Sequence, residues 1–179
     1  MKEPSQVLEI FLQPGEFYFG NRDTRIRTQL GSCVAITLWH PARKIGGMCH
    51  YRLPTWGKAL ADALEGQYAD EVMQLFLGEI AAAGTLPSEY EVKLFGGGEV
   101  FSGVERGADR VPARHLEAGR SLATRYGFRI KIEDSGGGTG PRNLIFDIWN
   151  GNVWVRKFKD PAPTTAGNLR VPPRSGLDR

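Results

Sequence analysis

The stretch "TQLGSCVAITLWHPARKIGGMCHYRLP", residues 28–54, holds both cysteines and two of the three histidines of a 179-residue chain. Its apolar runs "CVAITLW" and "GGMCHYRL" flank His40-Pro41-Ala42-Arg43-Lys44, and Pro41 and the Gly46-Gly47 pair punctuate the segment. Apolar runs rich in β-branched and aromatic residues, bounded by such breakers, predict strand, turn, strand, a hairpin with a longer loop. That hairpin sets Cys33 at the start of one strand and His50 near the middle or end of the next. Strand-building gives no reason to gather thiols and imidazoles in one place, so the segment reads either as a reaction centre or as core.

Upstream, "VLEIFLQ" and "EFYFG" alternate loosely and are broken by Pro14-Gly15, which predicts one or two short strands with a turn. Downstream, Tyr68, Val72, Leu75, Phe76 and Ile80 recur with helical spacing, predicting an amphipathic helix over 67–83 ended by Gly84. "EYEVKLFGGGEVF" reads as a strand running into three glycines. "PARHLEAGRSLATRYG" reads as a second helix, with Pro112 in its first turn and Gly127 beyond its end. "FRIKIED" alternates as a strand, and "LIFDIWNGNVWVRKF" carries the Asn150-Gly151 signal of a hairpin. Strands outnumber helices, and the two helices are spaced so that each could cover a sheet face, so the expected class is α+β. Residues 1–159 are expected to form one domain. Residues 160–179, rich in Pro, Gly and small polar groups, are expected to be a flexible tail, because they carry too little apolar surface to offset the entropy of ordering.

Composition narrows the function classes. Hydrophobic residues at 41% and charged residues at 24% are ordinary globular usage, which argues against wholesale disorder and a membrane-embedded body. The net charge is only +3, from scattered basic residues, and no basic stripe or recognised motif points to nucleic acid. No secretory signal or membrane span is read, so a reducing cytoplasm is expected and Cys33 and Cys49 should remain thiols.

A cysteine attacks as thiolate, so it needs a base and a route for substrate. His50 is the best-placed base, seventeen positions from Cys33 on a neighbouring antiparallel strand. Gly31 and Ser32 allow close backbone approach, so that N–H groups near Cys33 could hold an oxyanion. Thr28 offers a hydroxyl that can accept from the imidazole. Cys49 adjoins His50, but neighbouring strand residues face opposite sides, which turns Cys49 into the core if His50 faces a site. A buried, inert Cys33 and a satisfied His50 remain the plain alternative. Metal binding by His40, Cys33, Cys49 and His50 lacks paired short ligand spacing, so no metal is expected. "FGGGEVF" and "SGGGTGPRN" lack the residues of a phosphate loop and read as turns or loops lining a cleft. Glu133, Asp134 and Asp147 read as solvated or turn residues, and His115 as a surface group on the second helix.

The order "LGSCVAI", "GGMCHYRLP", "QYADEVM", "KLFGGGEVF" and "GGGTGPRNLIFD", over residues 27–158, resembles the chemoreceptor glutamine deamidase family, CheD. The first block is the specific one. The resemblance implies hydrolysis of glutamine side chains on methyl-accepting chemotaxis receptors to glutamate and ammonia, with no cofactor. It implies a catalytic triad of Cys33 as nucleophile, His50 as base and proton donor, and Thr28 as the third member. It implies two packed mixed β-sheets flanked by helices, a four-layer α/β/β/α arrangement like that of other cysteine deamidases. It also implies chemoreceptors as partners, and a CheC-type phosphatase as a further one, with no membrane insertion. A non-catalytic docking module for receptor or phosphatase is the competing function.

Overall fold

The computed structural model describes residues 2–55, 64–98, 111–136 and 140–157. Among these, the strands are β1 (Leu8–Leu12), β2 (Phe17–Gly20), β3 (Thr24–Leu30), β4 (Val34–His40), β5 (Ile45–Tyr51), β6 (Glu91–Gly96), β7 (Arg129–Asp134), β8 (Arg142–Asp147) and β9 (Asn152–Lys157). The helices are α1 (Ala69–Ala82) and α2 (Val111–Arg125), with a short 3-10 turn at Pro87–Glu89.

The strands form a four-stranded sheet of order β1-β3-β8-β9 and a five-stranded sheet of order β2-β5-β4-β6-β7. Each is mixed, because β1 runs parallel to β3 and β6 parallel to β7 while the other pairs are antiparallel. β4 is the centre of the larger sheet and is buried on both sides, which explains its nearly continuous apolar run. Val34, Ile36 and Leu38 pack toward Val72, Phe76 and Leu116 of the helices. Ala35 packs the other way, against Ile26, Met48, Phe95, Leu144 and Phe146 between the sheets.

The two expected hairpins and the two helices are present, and the two packed mixed sheets hold. Both helices, however, contact the five-stranded sheet: α1 meets β2 and β5, and α2 meets β4, β6 and β7. The described layers are therefore helix, sheet, sheet, with Phe11 and Trp154 exposed on the outer side of the four-stranded sheet. Pro14 and Gly15, between β1 and β2, do not make a hairpin, since these strands enter different sheets. Gly46 and Gly47 are strand residues, not loop, because the neighbouring backbone comes too close for a side chain: a Cβ on Gly47 would lie 2.5 Å from the Tyr18 carbonyl oxygen.

Three polar residues read as solvated or surface groups are not. His115 is buried under Tyr51, whose hydroxyl donates to its carbonyl at 2.7 Å. Asp147 is buried and accepts from Arg25 Nε at 2.7 Å, and Asp134 is tied to the buried Arg142. The tail at 160–179 lies outside the described residues.

The β8–β9 hairpin is fastened to the other sheet at its turn. Gly151 has φ +74° and lies against the Trp39 ring, where a Cβ would sit 2.3 Å from ring carbons. Trp39 Nε1 donates to Ile148 O at 2.7 Å, and Lys93 Nζ, on β6, donates to Gly151 O at 2.6 Å. These contacts fix the distance between the sheets at one end of the sandwich.

Candidate active site

Cys33, His50 and Thr28 come from three different places in the chain and meet where the two sheets face each other. β3 of the smaller sheet ends at Leu30 and β4 of the larger begins at Val34, so residues 31–33 form the crossover between sheets. Cys33 is the last residue of that crossover. It is partly exposed and packs on the inter-sheet core, so its thiol is both held and approachable.

His50 is paired with Ala35 in the β4–β5 ladder, and Val34 with Tyr51. Directly opposite residues point to the same face, so His50 shares the inter-sheet face with Ala35. Cys33 precedes Ala35 by two positions and lies on that face as well, making Cys33 and His50 a diagonal cross-strand pair. Cys49 points to the helix side, in the other core, and burial pushes its thiol up to about 12. The period-two expectation for this Cys-His neighbour pair is met.

Thr28, on the inward face of β3, supplies the link between the sheets. His50 Nδ1 and Thr28 Oγ1 are 2.7 Å apart, and Thr28 Oγ1 donates its one hydrogen to Leu12 O at 2.9 Å. A hydroxyl has a single proton to give, so toward His50 it can only accept. The proton therefore resides on Nδ1, and the lone pair of the imidazole is on Nε2. That atom is buried and has no hydrogen-bond partner among the described residues. The sequence offers Thr28 as an accepting hydroxyl on the same segment but does not mark its strand, β3, which brings it to His50 from the other sheet.

The electrostatics set the resting protonation. Burial, aided by the Arg52 charge and opposed by Glu16, lowers His50 to about 4, so the ring is neutral at pH 7. Burial also raises the Cys33 thiol, against the pull of Arg52. The pair accordingly rests as neutral thiol and neutral imidazole.

Gly31 and Ser32 are the first two residues of the crossover. The Gly31 carbonyl faces Gly97 so closely that a Cβ on Gly97 would lie 1.8 Å from Gly31 O and 2.9 Å from Cys33 O. A trans peptide sets its N–H opposite its C=O, so the Ser32 N–H points away from Gly97. Gly96 and Gly97 of "FGGGEVF" thus work as backbone packed against their neighbours, Gly97 against the crossover; residues 99–101 of that segment lie outside the described residues. Among the described residues no group of three His, Cys, Asp or Glu is placed to hold a metal ion. No helix among them is long and apolar enough to cross a membrane.

Thr28→Val keeps the shape but deletes both hydrogen bonds, freeing the His50 ring to rotate or change tautomer. A loss of about ten- to a hundredfold in turnover is expected, alongside about 1–3 kcal/mol of stability from the unpaired Leu12 carbonyl and imidazole N–H. Turnover measured with urea unfolding on the same variant checks it; unchanged turnover would remove Thr28 from the site.

A partly exposed thiol at a crossover, a strand-borne neutral imidazole and a hydroxyl bonded to it are the components that a thiol-dependent hydrolase uses. Comparison with known sequences makes the class specific. Residues 53–157 match the family model described as CheD chemotactic sensory transduction. A protein of Pseudomonas savastanoi pv. phaseolicola named "Probable chemoreceptor glutamine deamidase CheD" is 50% identical over 159 residues, covering 87% of this chain and 88% of that one. One of the same name from Pseudomonas fluorescens is 48% identical over 162 residues, with 87% and 88% covered. A "Probable chemoreceptor glutamine deamidase CheD 3" of Dechloromonas aromatica is 47% identical over 152 residues, with 85% and 89% covered. The chain belongs to the CheD family.

Proposed function

We propose that this protein deamidates glutamine side chains of chemotaxis receptors, with Cys33 as nucleophile, His50 as general base and acid, and Thr28 as the group that orients His50. The observation that carries the reading is the direction of the Thr28–His50 hydrogen bond, which leaves a buried Nε2 lone pair without a hydrogen-bond partner among the described residues, on the inter-sheet face where the partly exposed Cys33 also packs. The names of the relatives supply the substrate class.

In the first half-reaction the Cys33 proton passes to His50 Nε2 while Sγ attacks the carboxamide carbon. The carbonyl oxygen takes the electron pair and is held by N–H groups of the 31–33 crossover, Ser32 foremost. His50 returns the proton to the departing nitrogen, ammonia leaves, and a thioester to Cys33 remains. Water then gives a proton to Nε2 and its oxygen attacks the thioester. Collapse frees glutamate, and the proton on Nε2 restores the thiol. Each proton taken by His50 is delivered, so one water is consumed and one ammonia released per glutamine.

The substrate glutamine projects from a helical receptor segment, which suits a thiol exposed at the junction of two sheets rather than at the bottom of a deep pocket. We place the protein in the cytoplasm, acting without membrane insertion. Its domain spans 1–159, followed by the 160–179 tail. A CheC-type phosphatase is a further partner, on the family likeness. The test is peptide mass spectrometry of receptor cytoplasmic fragments incubated with the protein. Conversion of selected glutamines to glutamates with release of ammonia is expected. No conversion on several receptors, by folded protein, would leave a docking role instead.

A further inference from the structure

Arg142 has the largest of the fully buried side chains, at 1% exposure, in a place where a buried cation needs a reason. It begins β8, and its backbone is paired with Leu30, the residue immediately before the 31–33 crossover. Its guanidinium leaves the four-stranded sheet and grips the five-stranded one. Nη1 donates to Gly96 O at 2.7 Å, and Nη2 donates to Asp134 Oδ2 at 2.7 Å. Gly96 in turn is paired with Val34, the residue immediately after the crossover. The same residue therefore borders the start of the crossover through its backbone pairing with Leu30 and its end through the side-chain bond to Gly96.

The surrounding backbone has no slack. A Cβ on Gly96 would lie 2.7 Å from Ser135 O, and one on Gly136 would lie 2.2 Å from Gly97 O. Gly97 already abuts Gly31 and Cys33. Segments 31–33, 96–97 and 135–136 are thus stacked backbone on backbone, and Arg142 with Asp134 holds the stack from inside. Asp134 Oδ1 also accepts the Gly136 N–H at 3.0 Å, so the ion pair holds two of the three layers directly, 96–97 and 135–136, and these press on the third. Burial alone would raise the Asp134 carboxyl, but the Arg142 and Gly136 hydrogen bonds and the Arg142 and Lys157 charges hold it below its ordinary value.

The consequence falls on the site because the candidate triad is divided between the sheets. Thr28 belongs to one sheet, His50 to the other and Cys33 to the chain between them. Lys93 and Trp39 fasten the sheets at the β8–β9 turn. Arg142 is at the other end of the same hairpin. We propose that Arg142, held by Asp134, is a positioning residue that sets the 31–33 crossover, and with it the Cys33 thiol and the Ser32 N–H, against His50.

This rests on the function proposed above, and the test separates the two. Arg142→Lys keeps the charge but cannot grip Gly96 and Asp134 together. Asp134→Asn, whose side chain is 35% exposed, removes the ionic half of the clamp at less risk to folding. Each is compared with the wild-type chain for deamidation of a receptor fragment and for alkylation of Cys33 by chloroacetamide between pH 5 and pH 9, with Cys49 followed as a control of the intact core.

In the wild type, the imidazole is expected to sustain Cys33 alkylation at pH 6. In both variants that rate and kcat should fall together by about ten- to a hundredfold, the scale of a small misplacement of reacting groups. The alkylation profile should move toward that of an ordinary thiol, while KM changes little and Cys49 stays unreactive. A simple loss of folded protein would instead expose Cys49 and leave the Cys33 profile of the folded fraction unmoved. If Asp134→Asn keeps the wild-type profile, the clamp is overturned and the deamidase reading stands. If the wild type fails to deamidate, that reading falls, and the alkylation comparison, which needs no substrate, still decides the role of Arg142. A wild-type profile already that of an ordinary thiol overturns the clamp, since nothing is then being positioned.

Discussion

Cys33→Ala is expected to abolish glutamine conversion, by about ten-thousandfold or more, with the protein still folded. Removal of a nucleophile costs rates of this order because the remaining groups can only orient water against an amide. The stability cost should be small, about 1 kcal/mol or less, since Cys33 is partly exposed and sits at the edge of the inter-sheet core. Cys49→Ala gives the reverse pattern. It opens a small void among Ile36, Val72 and Phe76 on the helix side, where Cys49 is fully buried. About 1–2 kcal/mol of stability should go while turnover of the folded protein is kept. Peptide mass spectrometry on a receptor fragment, with urea unfolding of each variant, reads both quantities. Conversion that survives Cys33→Ala and disappears with Cys49→Ala would place the nucleophile on the wrong side of β5.

The opposite fates of the two cysteines were legible in the sequence because a strand alternates with period two, and Cys49 and His50 are adjacent. The hairpins around Pro41 and Asn150-Gly151 were legible for the same local reason, as were the helices with their apolar spacing and terminal glycines. β3 was not. Its buried positions include Thr24 and Thr28, and its outward ones are Arg25, Arg27 and Gln29, so "TRIRTQL" shows little apolar alternation. What makes it a strand is pairing on both sides, with β1 and β8, which are distant in sequence. Thr28 itself is a candidate by its hydroxyl, but its place on an inward strand face is not legible, because a threonine contributes little to an apolar pattern.

The carboxylates that the sequence presents as solvated or turn residues share a cause. Asp147 is buried and Asp134 half-buried, with partners 122 and 8 positions away, namely Arg25 and Arg142. Charged residues are seldom buried unless paired, and pairing across a fold leaves no trace in local composition. Placement of both helices on one sheet is equally nonlocal. The spacing of α1 and α2 shows that each has an apolar face, not which sheet that face meets.

His50→Gln should cost about a hundred- to ten-thousandfold in turnover, because the proton must leave Cys33, reach ammonia and be taken again from water through one atom. The pH dependence separates a working base from a packed ring. With His50 lowered to about 4, the imidazole is neutral and able to accept a proton well below pH 6, so kcat/KM should fall on the acid side only as pH drops through about 4. The same depression makes a stability prediction. In the unfolded chain the ring titrates near 6.5. Between there and about 4 the unfolded state binds a proton that the folded state refuses. Stability is therefore fully present above pH 6.5 and declines as pH falls, by roughly 3 kcal/mol over that window. Glutamine does not titrate, so His50→Gln should flatten this part of the urea-midpoint profile, while the acid losses from Glu133 and Asp134, whose carboxyls titrate below their ordinary values, persist in both proteins. Equal slopes in variant and wild type between pH 6.5 and pH 4 would mean that folding does not lower the ring, and the acid limb of kcat/KM should then lie near 6.5 instead of about 4.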